Sequence, residues 1–381
     1  MRVLSLKAAA DLERELAKLD GTQPEWALLY GVESSPLADV MKRLRLRYPA
    51  LQVFGTTSFQ GVFTQRGFEK GMTLLVADRE DQVARAVVLE ATGAEQARKR
   101  AQAACRKIQK ELEALPSMLL LHATPGFEER ILAGVRDVFG KDVPVYGGSA
   151  ADDRLAGNWQ VFANGSSCQE GFLLVGLRSP RTPSGGFLGG YLPTDRSGQV
   201  TRVDGRVICE IDNRPAAQVY NEWTDGAIAD ELERGGNVMS KTNLRPLARV
   251  VGNVQGFPRR LLAHPRAVIG DEKALSLFAE VSRGDQVTLM TSTQDPLISR
   301  VRRAVQRARG AGSSAPRGAL LIYCAGCLST MLDQADRIAQ EFSQELAGVP
   351  FVGIATFGEQ GTFFEKSESW HGNLMCSVVL L

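Results

Sequence analysis

Short apolar runs alternate with amphipathic segments along most of the chain, and this alternation repeats. Three stretches share one order of elements: an apolar strand, a helix, a short strand ending in glycine and small residues, and a glycine-led apolar strand. The first covers 26–31, 37–48, 51–58 and 71–76. The second covers 117–122, 128–139, 143–150 and 171–177, and the third covers 319–324, 330–346, 349–356 and 372–378. The pattern predicts three strand–helix–strand repeats.

These repeats predict an α/β fold of layered mixed sheets with flanking helices. Strands that are apolar throughout are typical of sheets covered on both faces. The glycine that ends each middle strand permits a sharp turn, and loops at strand ends are common ligand sites in such folds. For one loop alone, tight packing and ligand binding are equally good interpretations. Three similar loops favour a shared cleft.

The segment between the second and third repeats has a different pattern. Residues 199–211 alternate in polarity around Asp204-Gly205, which predicts a tight β-hairpin. We predict further elements after it: a short helix at 215–223, a strand at 285–289, a helix from an Asp295-Pro296 cap to about Arg309, and a linker at 310–318. A chain of 381 residues favours two domains, and a boundary after the hairpin gives 1–218 and 219–381.

Composition and the N-terminal pattern narrow the function classes. Residues 1–20 predict an amphipathic helix rather than a signal peptide, and no later run has the length of a membrane span. A net charge of +2 gives no overall attraction to nucleic acid or to an anionic membrane. The six scattered cysteines are too dilute for a disulfide framework, which favours a reducing compartment. We expect a soluble cytoplasmic protein without nucleic-acid partners or membrane insertion.

Several segments resemble one family, in the order in which the family has them. Residues 145–153 (VYGGSAADD) and 171–177 resemble the end of a FIST N-terminal domain. Residues 200–202, 210–216 and Tyr220 resemble the passage into the second half. Residues 323–327, 350–353 and 357–361 resemble the FIST C-terminal domain. The resemblance to FIST proteins thus extends over nearly the whole chain.

This resemblance implies an intracellular sensory module that binds a small ligand, with amino-acid-like compounds as one option. FIST domains occur fused to, or encoded beside, histidine kinases, cyclic-dinucleotide enzymes and chemotaxis-type receptors. One subgroup is described as haem proteins that sense nitric oxide and inhibit a kinase, which leaves haem open as a cofactor. We expect a stand-alone sensor that is not an enzyme and acts by contact on a histidine kinase or a cyclic-dinucleotide signalling enzyme.

The less favoured alternative, a hydrolase, depends on a single weak motif. Gly148-Ser149-Ala150 partly matches a nucleophile elbow but lacks its second glycine. The sequence has no phosphate-binding loop, dinucleotide fingerprint or HExxH motif. A histidine within hydrogen-bond reach of Ser149 would support the alternative.

The candidate ligand contacts come from the ends of strands in the second and third repeats and from the loops that follow them. They are Ser149, Asp152, Thr356 and Glu359 at or after the middle strands, and Cys324 and Cys327 at or after the end of the third repeat's first strand. Glu359 would meet an ammonium or a hydrogen-bond donor, or would brace its own loop. Cys324 and Cys327 have the spacing of a redox or metal pair, although burial as small apolar residues is the favoured interpretation. A helix that begins at Cys327 would lower the pKa of its thiol.

The histidines and a group of arginines are further candidates for functional residues. If haem is bound, we assign its axial ligand to His264 or His371, although a structural role is the favoured interpretation for each histidine, His122 included. Five arginines crowd the helix that follows Pro296: Arg300, Arg302, Arg303, Arg307 and Arg309. A solvated basic face is favoured there over a docking surface for an acidic region of a kinase.

Overall fold

The computed structural model describes residues 1–254, 256–311, 315–364 and 366–381. It confirms the α/β class: three mixed six-stranded sheets and one nine-stranded sheet are flanked by helices. Each of the three predicted repeats is the centre of one six-stranded sheet. We call these repeats, with their sheets, the first, second and third units.

The three units share one topology. In each, the first strand pairs parallel with the middle strand and antiparallel with the last strand. In the first unit these are Pro24–Val32, Gln52–Ser58 and Met72–Asp78, with helix Leu37–Arg47. In the second they are Met118–Ala123, Val145–Gly148 and Gly171–Arg178, with helix Glu128–Phe139. In the third they are Ala319–Cys324, Phe351–Thr356 and Cys376–Leu380, with helices Ala325–Leu328 and Ala335–Leu346.

An edge strand and an outer helix precede each unit. The edge strands Arg2–Leu6, Val83–Glu90 and Ser184–Leu188 pair with the last strands of the first, second and third units. The outer helices are Leu12–Leu16, with short 3₁₀ turns at Ala9–Asp11 and Ala17–Leu19, then Ala94–Leu112 and Gln294–Ala311. The N-terminal prediction was therefore wrong at its start, because residues 2–6 form a strand. Their apolar side chains pack on the first sheet, which outweighs the helical pattern of the following residues.

The units exchange β-hairpins in a cycle. The hairpin Val62–Thr64/Gly67–Glu69 of the first unit pairs with the middle strand of the third. The hairpin Glu359–Thr362/Ser369–Gly372 of the third unit pairs with the middle strand of the second. The hairpin Val161–Ala163/Ser166–Cys168 of the second unit pairs with the middle strand of the first. Each sheet is thus completed by a neighbour, and the arrangement is cyclic.

The nine-stranded sheet is inserted into the third unit, between its edge strand and its outer helix. Its strands are Leu192–Asp204, Val207–Ile211, Arg214–Pro215, Gly236–Asn237, Leu247–Val254, Phe257–Ala263, Pro265–Ile269, Ala274–Leu277 and Gln286–Thr291. Helices Ala216–Trp223, Ala229–Arg234 and Met239–Thr242 accompany it, and a 3₁₀ turn at Leu332–Gln334 belongs to the third unit. We call this region the inserted sheet.

Most elements predicted between the second and third repeats are present. The hairpin turns at Asp204-Gly205, and Gly205 has a φ of +54°. The helix predicted after the Asp295-Pro296 cap begins one residue earlier, at Gln294, so Asp295 lies in its first turn. It also continues to Ala311, into the predicted linker, whose residues 312–314 lie outside the described residues.

Burial explains why these segments adopt their structures. Strand Ala319–Cys324 is buried at every position, as its unbroken apolar sequence predicts. Helix Ala94–Leu112 buries Ala97, Ala101, Ala104 and Ile108, which recur on one helical face. The largest apolar core joins all three units and the inserted sheet. Among the described residues, no helix is both long and apolar enough to cross a membrane.

Candidate functional site

The ends of the three middle strands meet in a ring of backbone hydrogen bonds. The strands share a glycine at equivalent positions, Gly55, Gly147 and Gly353, each opposite a leucine of the first strand. A Cβ atom on Gly147 would lie 1.8 Å from the carbonyl oxygen of Leu121, so only glycine fits there. The ring bonds run from Phe59 N to Ala355 O (3.0 Å), Ala151 N to Thr57 O (3.2 Å) and Phe357 N to Ser149 O (3.1 Å).

A cavity of about 450 Å³, which we call the central cavity, lies against this ring. The first and second units line it with Phe59 and Leu155, and the inserted sheet adds residues that include Met239 and Phe278. Phe59 and Phe357 donate backbone hydrogen bonds in the ring of strand ends, and their side chains line the cavity. The centroids of their phenyl groups are 6.2 Å apart. Every structural part of the molecule therefore contributes to this space, and its volume suits a small organic ligand.

The polar groups of the cavity are neutral. Its described lining has no aspartate, glutamate, lysine or arginine, and its polar side chains are Asn237, Ser240, Asn243, His264, Cys324, Ser329 and Asn373. Burial lowers the pKa of His264 to about 4, although a hydrogen bond to the Met239 carbonyl opposes this. The imidazole is therefore uncharged at neutral pH.

The tautomer of His264 follows from its contacts. Its Nε2 lies 2.9 Å from the hydroxyl of Thr242. Nε2 also lies 3.3 Å from the carbonyl oxygen of Met239, which can only accept a hydrogen bond. Nε2 therefore carries the hydrogen. Nδ1 is left with a lone pair and no hydrogen bond to a described residue, so it can accept one from a ligand.

Two asparagines extend this polar surface. The Oδ1 atom of Asn243 is buried without a hydrogen-bond partner among the described residues, while its Nδ2 donates to Ser329 Oγ at 3.3 Å. Asn373 is almost completely buried and its backbone N–H donates to the carbonyl of Leu262. Its Nδ2 has no hydrogen-bond partner among the described residues. The cavity thus offers two acceptors, His264 Nδ1 and Asn243 Oδ1, and an amide donor.

Two of the predicted ligand residues, Ser149 and Asp152, are buried against internal partners. The Ser149 hydroxyl donates to Glu128 Oε1 at 2.7 Å. The Asp152 carboxylate accepts backbone N–H groups of Arg154, Ala156 and Asn158 at 2.8 to 3.1 Å, which braces its own loop. Neither residue lines the central cavity.

Thr356 and Glu359 contact each other, because the Thr356 hydroxyl donates to Glu359 Oε1 at 2.8 Å. The other carboxyl oxygen of Glu359 accepts the backbone N–H of Met375 at 2.9 Å. Burial raises the pKa of Glu359 well above its ordinary value, with a further rise from Cys327, and these bonds only partly offset that. Glu359 is therefore bonded internally and does not line the central cavity.

The two cysteines have different surroundings. Cys324 lines the central cavity, whereas Cys327 is fully buried, with its Sγ 3.3 Å from the Tyr191 hydroxyl. Burial raises the pKa of Cys327, but a hydrogen bond from Cys324 and the charge of Arg300 lower it to about 6. The helix here begins at Ala325 and has four residues, so these neighbours rather than a helix end lower this pKa.

Arg300 is the buried cation beside this thiol. Its Nη1 donates to the carbonyls of Gly189 (2.8 Å) and Leu374 (2.7 Å), and its guanidinium lies 4.4 Å from the Tyr323 ring centre. No carboxylate of the described residues forms an ion pair with it. The solvated position predicted for Arg300 was therefore wrong, and the charge of this buried guanidinium is one cause of the lowered pKa of Cys327.

His371 lies in a second polar cluster, outside the central cavity. Gln360 Nε2 donates to its Nδ1 (3.0 Å) and lies 3.3 Å from Ser149 Oγ, while His371 Nε2 is 3.9 Å from Glu128 Oε1. Glu128, Glu129 and His371 lie close enough together to suggest a metal site. However, Arg206 donates to both carboxylates, at 2.6 Å for Glu128, so a guanidinium already supplies the positive charge.

These contacts test the haem and hydrolase alternatives. Nε2 of His264 is hydrogen-bonded to Thr242, and the cavity lined by His371 is only about 200 Å³, below the roughly 300–1,000 Å³ of ligand pockets. The residues at the two histidines therefore do not fit a haem. No described histidine makes a hydrogen bond with Ser149, whose hydroxyl is bonded to Glu128 instead. A nucleophile–base pair is thus not formed there.

Sequence reasoning did not find Phe59, Asn243, Phe278 and Asn373. Phe59 had a signal, because it follows the first glycine-ended strand as Phe357 follows the third. Asn243 and Phe278 lie in the inserted sheet, where no repeat indicates which residues face the units. Asn373 follows the last hairpin, and only its pairing with the second unit brings it to the cavity.

Comparison with known proteins agrees with this architecture. The FIST N domain model matches residues 25–214, and the FIST C domain model matches residues 216–362. Two curated relatives are uncharacterized proteins of Mycobacterium tuberculosis, strains CDC 1551 / Oshkosh and ATCC 25618 / H37Rv. Each is 27% identical over 221 residues, which is 57% of this chain and 56% of the relative, so the match spans little more than half of their length. The chain therefore belongs to the FIST family, whose domains are sensory modules that bind small ligands in signalling proteins.

Proposed function

We propose that this protein senses an uncharged small molecule in the central cavity and transmits its presence through contact with a partner protein. The observation that supports this most strongly is the cavity itself, which all three units and the inserted sheet line without a charged side chain among the described residues. A ligand there would contact every part of the molecule at once. Its binding can therefore shift the relative arrangement of the parts.

The lining favours a neutral ligand because a charged one would lose its hydration without a countercharge. An amino acid needs a carboxylate near its ammonium group, and none is among the described residues that line the cavity. The aromatic rings of Phe59, Phe357 and Phe278 suit a flat apolar body. We therefore favour a planar amide or heterocycle over a free amino acid.

The polar groups define the complementary pattern on the ligand. His264 Nδ1 and Asn243 Oδ1 each accept a hydrogen bond, so the ligand should carry N–H or O–H donors. Asn373 can donate to a carbonyl oxygen. The unpaired Asn243 Oδ1 costs the free protein about 1–3 kcal/mol, which a ligand donor would recover. A lactam or carboxamide provides both kinds of group.

The partner class follows from the family, because FIST domains commonly signal through partner proteins. We propose a histidine kinase or a cyclic-dinucleotide signalling enzyme, as the resemblance implies. The protein has no complete catalytic arrangement at Ser149, which supports a binding role.

The test compares matched neutral and charged probes by calorimetry. Nicotinamide and nicotinate have the same ring, but only nicotinate is charged. Indole and tryptophan also have the same ring, but tryptophan adds a charged ammonium group and a charged carboxylate. We expect the neutral member of a pair to bind preferentially. Asn243→Ala should weaken its binding about five- to a hundredfold, from the 1–3 kcal/mol above. The control Asn253→Ala changes an exposed asparagine outside the cavity and should bind normally. Preferential binding of the charged members would refute the proposal.

A haemin titration addresses the alternative of a nitric oxide sensor. If haem were the cofactor, a Soret band would develop at one haemin per chain and would change in His264→Ala or His371→Ala. We expect no stoichiometric band, because neither histidine has both a free Nε2 and a large cavity.

A further inference from the structure

A second cleft lies on the other side of Tyr191, between the inserted sheet and the outer helix of the third unit. Its volume is about 710 Å³, larger than that of the central cavity. Tyr191 lines this cleft and donates its hydroxyl proton to the Asn243 carbonyl at 2.7 Å. The cleft is thus separate from the central cavity but adjacent to it.

Three arginines line this cleft: Arg259 from strand Phe257–Ala263, and Arg303 and Arg307 from helix Gln294–Ala311. No carboxylate of the described residues forms an ion pair with any of the three, and the Nε atom of Arg259 is buried without a hydrogen-bond partner. No acidic residue is among the described residues that line the cleft. The cleft therefore concentrates positive charge that the protein itself does not neutralise.

This arrangement is unfavourable in the free protein. Arg303 and Arg307 are four positions apart on one helix face, where like charges repel. Burial lowers the pKa of Arg307 and the charge of Arg259 lowers it further, while Tyr146 opposes this. Other arginines of the same helix have partners: Arg302 pairs with Glu341, and Arg309 donates to the Glu345 carbonyl. Arg303 and Arg307, which face the cleft, thus differ from these two neighbours on their own helix.

The remaining lining indicates what kind of anion fits. Thr291 and Thr293 add hydroxyl groups to the lining, whereas the Ser292 hydroxyl donates to the Gly190 carbonyl. Guanidinium groups and hydroxyls are the usual protein contacts of phosphate oxygens. Leu188 and Leu192 provide apolar surface, and Leu192 is 71% exposed. The concave shape suits a small molecule better than a flat protein surface.

We propose that this cleft binds a phosphorylated small molecule, with a diphosphate group held by Arg259, Arg303 and Arg307 and an organic part against Leu188 and Leu192. Three guanidinium groups match the charge of a diphosphate better than that of a single phosphate. Such a ligand is chemically distinct from the uncharged ligand of the central cavity. The protein then has two ligand-binding sites, one for an uncharged ligand and one for an anionic ligand.

The test measures binding of inorganic phosphate, pyrophosphate and ADP to the full chain by calorimetry. We expect pyrophosphate to bind at least about tenfold more tightly than phosphate, since it reaches more guanidinium groups. ADP should bind at least as tightly as pyrophosphate. Failure of ADP to bind where pyrophosphate binds would overturn the assignment to an organic phosphate. No saturable binding of any probe, or tighter binding of a polyglutamate peptide, would overturn the cleft as a small-molecule site.

Variants of one helix provide the matched control. Arg303→Gln and Arg307→Gln should each weaken pyrophosphate binding by about tenfold or more, while Arg302→Gln should leave it unchanged. Thermal denaturation without ligand gives an independent readout. Arg307→Gln should leave the melting temperature unchanged or raise it, because it relieves repulsion, and pyrophosphate should stabilise the wild type more than the variant. Equal loss of binding in Arg302→Gln would show unspecific attraction and overturn the proposal.

Discussion

Arg206 is the side chain whose removal should be most damaging to the contact between the inserted sheet and the second unit. It follows the Asp204-Gly205 turn and donates to Glu128, whose side chain is 1% exposed, and to Glu129. Burial raises the pKa of Glu128, but Arg206, with smaller contributions from His371 and Ser149, lowers it from 4.5 to about 2. Arg206→Gln would leave this carboxylate buried without a cation.

The cost follows from the burial of this ion pair. Removing one partner of a buried ion pair typically destabilises a protein by about 3–5 kcal/mol. Each pKa unit corresponds to about 1.4 kcal/mol, so the net fall in the Glu128 pKa, to which Arg206, His371 and Ser149 contribute, corresponds to about 3 kcal/mol of stability. Because the pKa is lower in the folded state, this stabilisation is present above pH 4.5 and is lost as the pH falls through 2.

Urea unfolding of wild type and Arg206→Gln at pH 7 and pH 3 measures this. We expect a loss of about 3–5 kcal/mol at pH 7 and a clearly smaller one at pH 3. Arg202→Gln is the matched control, because Arg202 lies on the same hairpin in exposed pairs with Glu210 and Glu272. It should cost less than about 1 kcal/mol. Equal effects of the two variants, independent of pH, would refute the reasoning.

Three further predictions concern the ring and the groups behind the cavity. Gly147→Ala places a Cβ 1.8 Å from the Leu121 carbonyl oxygen and should cost more than about 3 kcal/mol in urea unfolding, whereas Gly93→Ala, with nothing within 4 Å, should cost almost nothing. Thiolate absorbance should titrate near pH 6 in the wild type and lose that step in Cys327→Ser. Burial raises the Glu359 pKa, so the free energy of unfolding of the wild type falls as the pH rises above 4.5. Glu359→Gln lacks this ionisation, and its free energy of unfolding should therefore rise relative to that of the wild type between pH 4.5 and 8.

The α/β class and the three repeats were predictable because each relies on local signals. Apolar strands such as 319–324 are buried at every position, and the glycines at 55 and 147 mark positions where only glycine fits. The hairpin exchange was not predictable. Strands of three residues such as Val62–Thr64 carry little pattern, and their partners are remote in sequence.

The candidate site was predicted only in part, for the same reason. The glycine-ended loops do meet, and Cys324 does line the central cavity. The polarity of Asp152 and Glu359 indicated ligand contacts, but their oxygens accept backbone N–H groups of the protein itself. Sequence shows that a residue is polar, whereas the fold decides whether a backbone group or a ligand is its partner.

The cyclic exchange of hairpins predicts how the chain responds to division. The boundary predicted after residue 218 stays a prediction for the family domains, but it cuts across the third unit. Fragment 219–381 would lack the edge strand Ser184–Leu188, and its hairpin strand Glu359–Thr362 would lack the second unit's Val145–Gly148. Fragment 1–218 would expose the middle strand Val145–Gly148 in turn.

We therefore expect neither fragment alone to unfold cooperatively, because each would present unpaired strand edges and half of the shared core. When the two are co-expressed, the same edges should bring them together in a complex whose circular dichroism and melting transition match those of the intact chain. The comparison needs only size-exclusion chromatography and thermal denaturation of three samples. A cooperative transition in fragment 219–381 alone would show that the inserted sheet and the remaining third unit suffice as a folding unit, and the exchange would then be dispensable for folding.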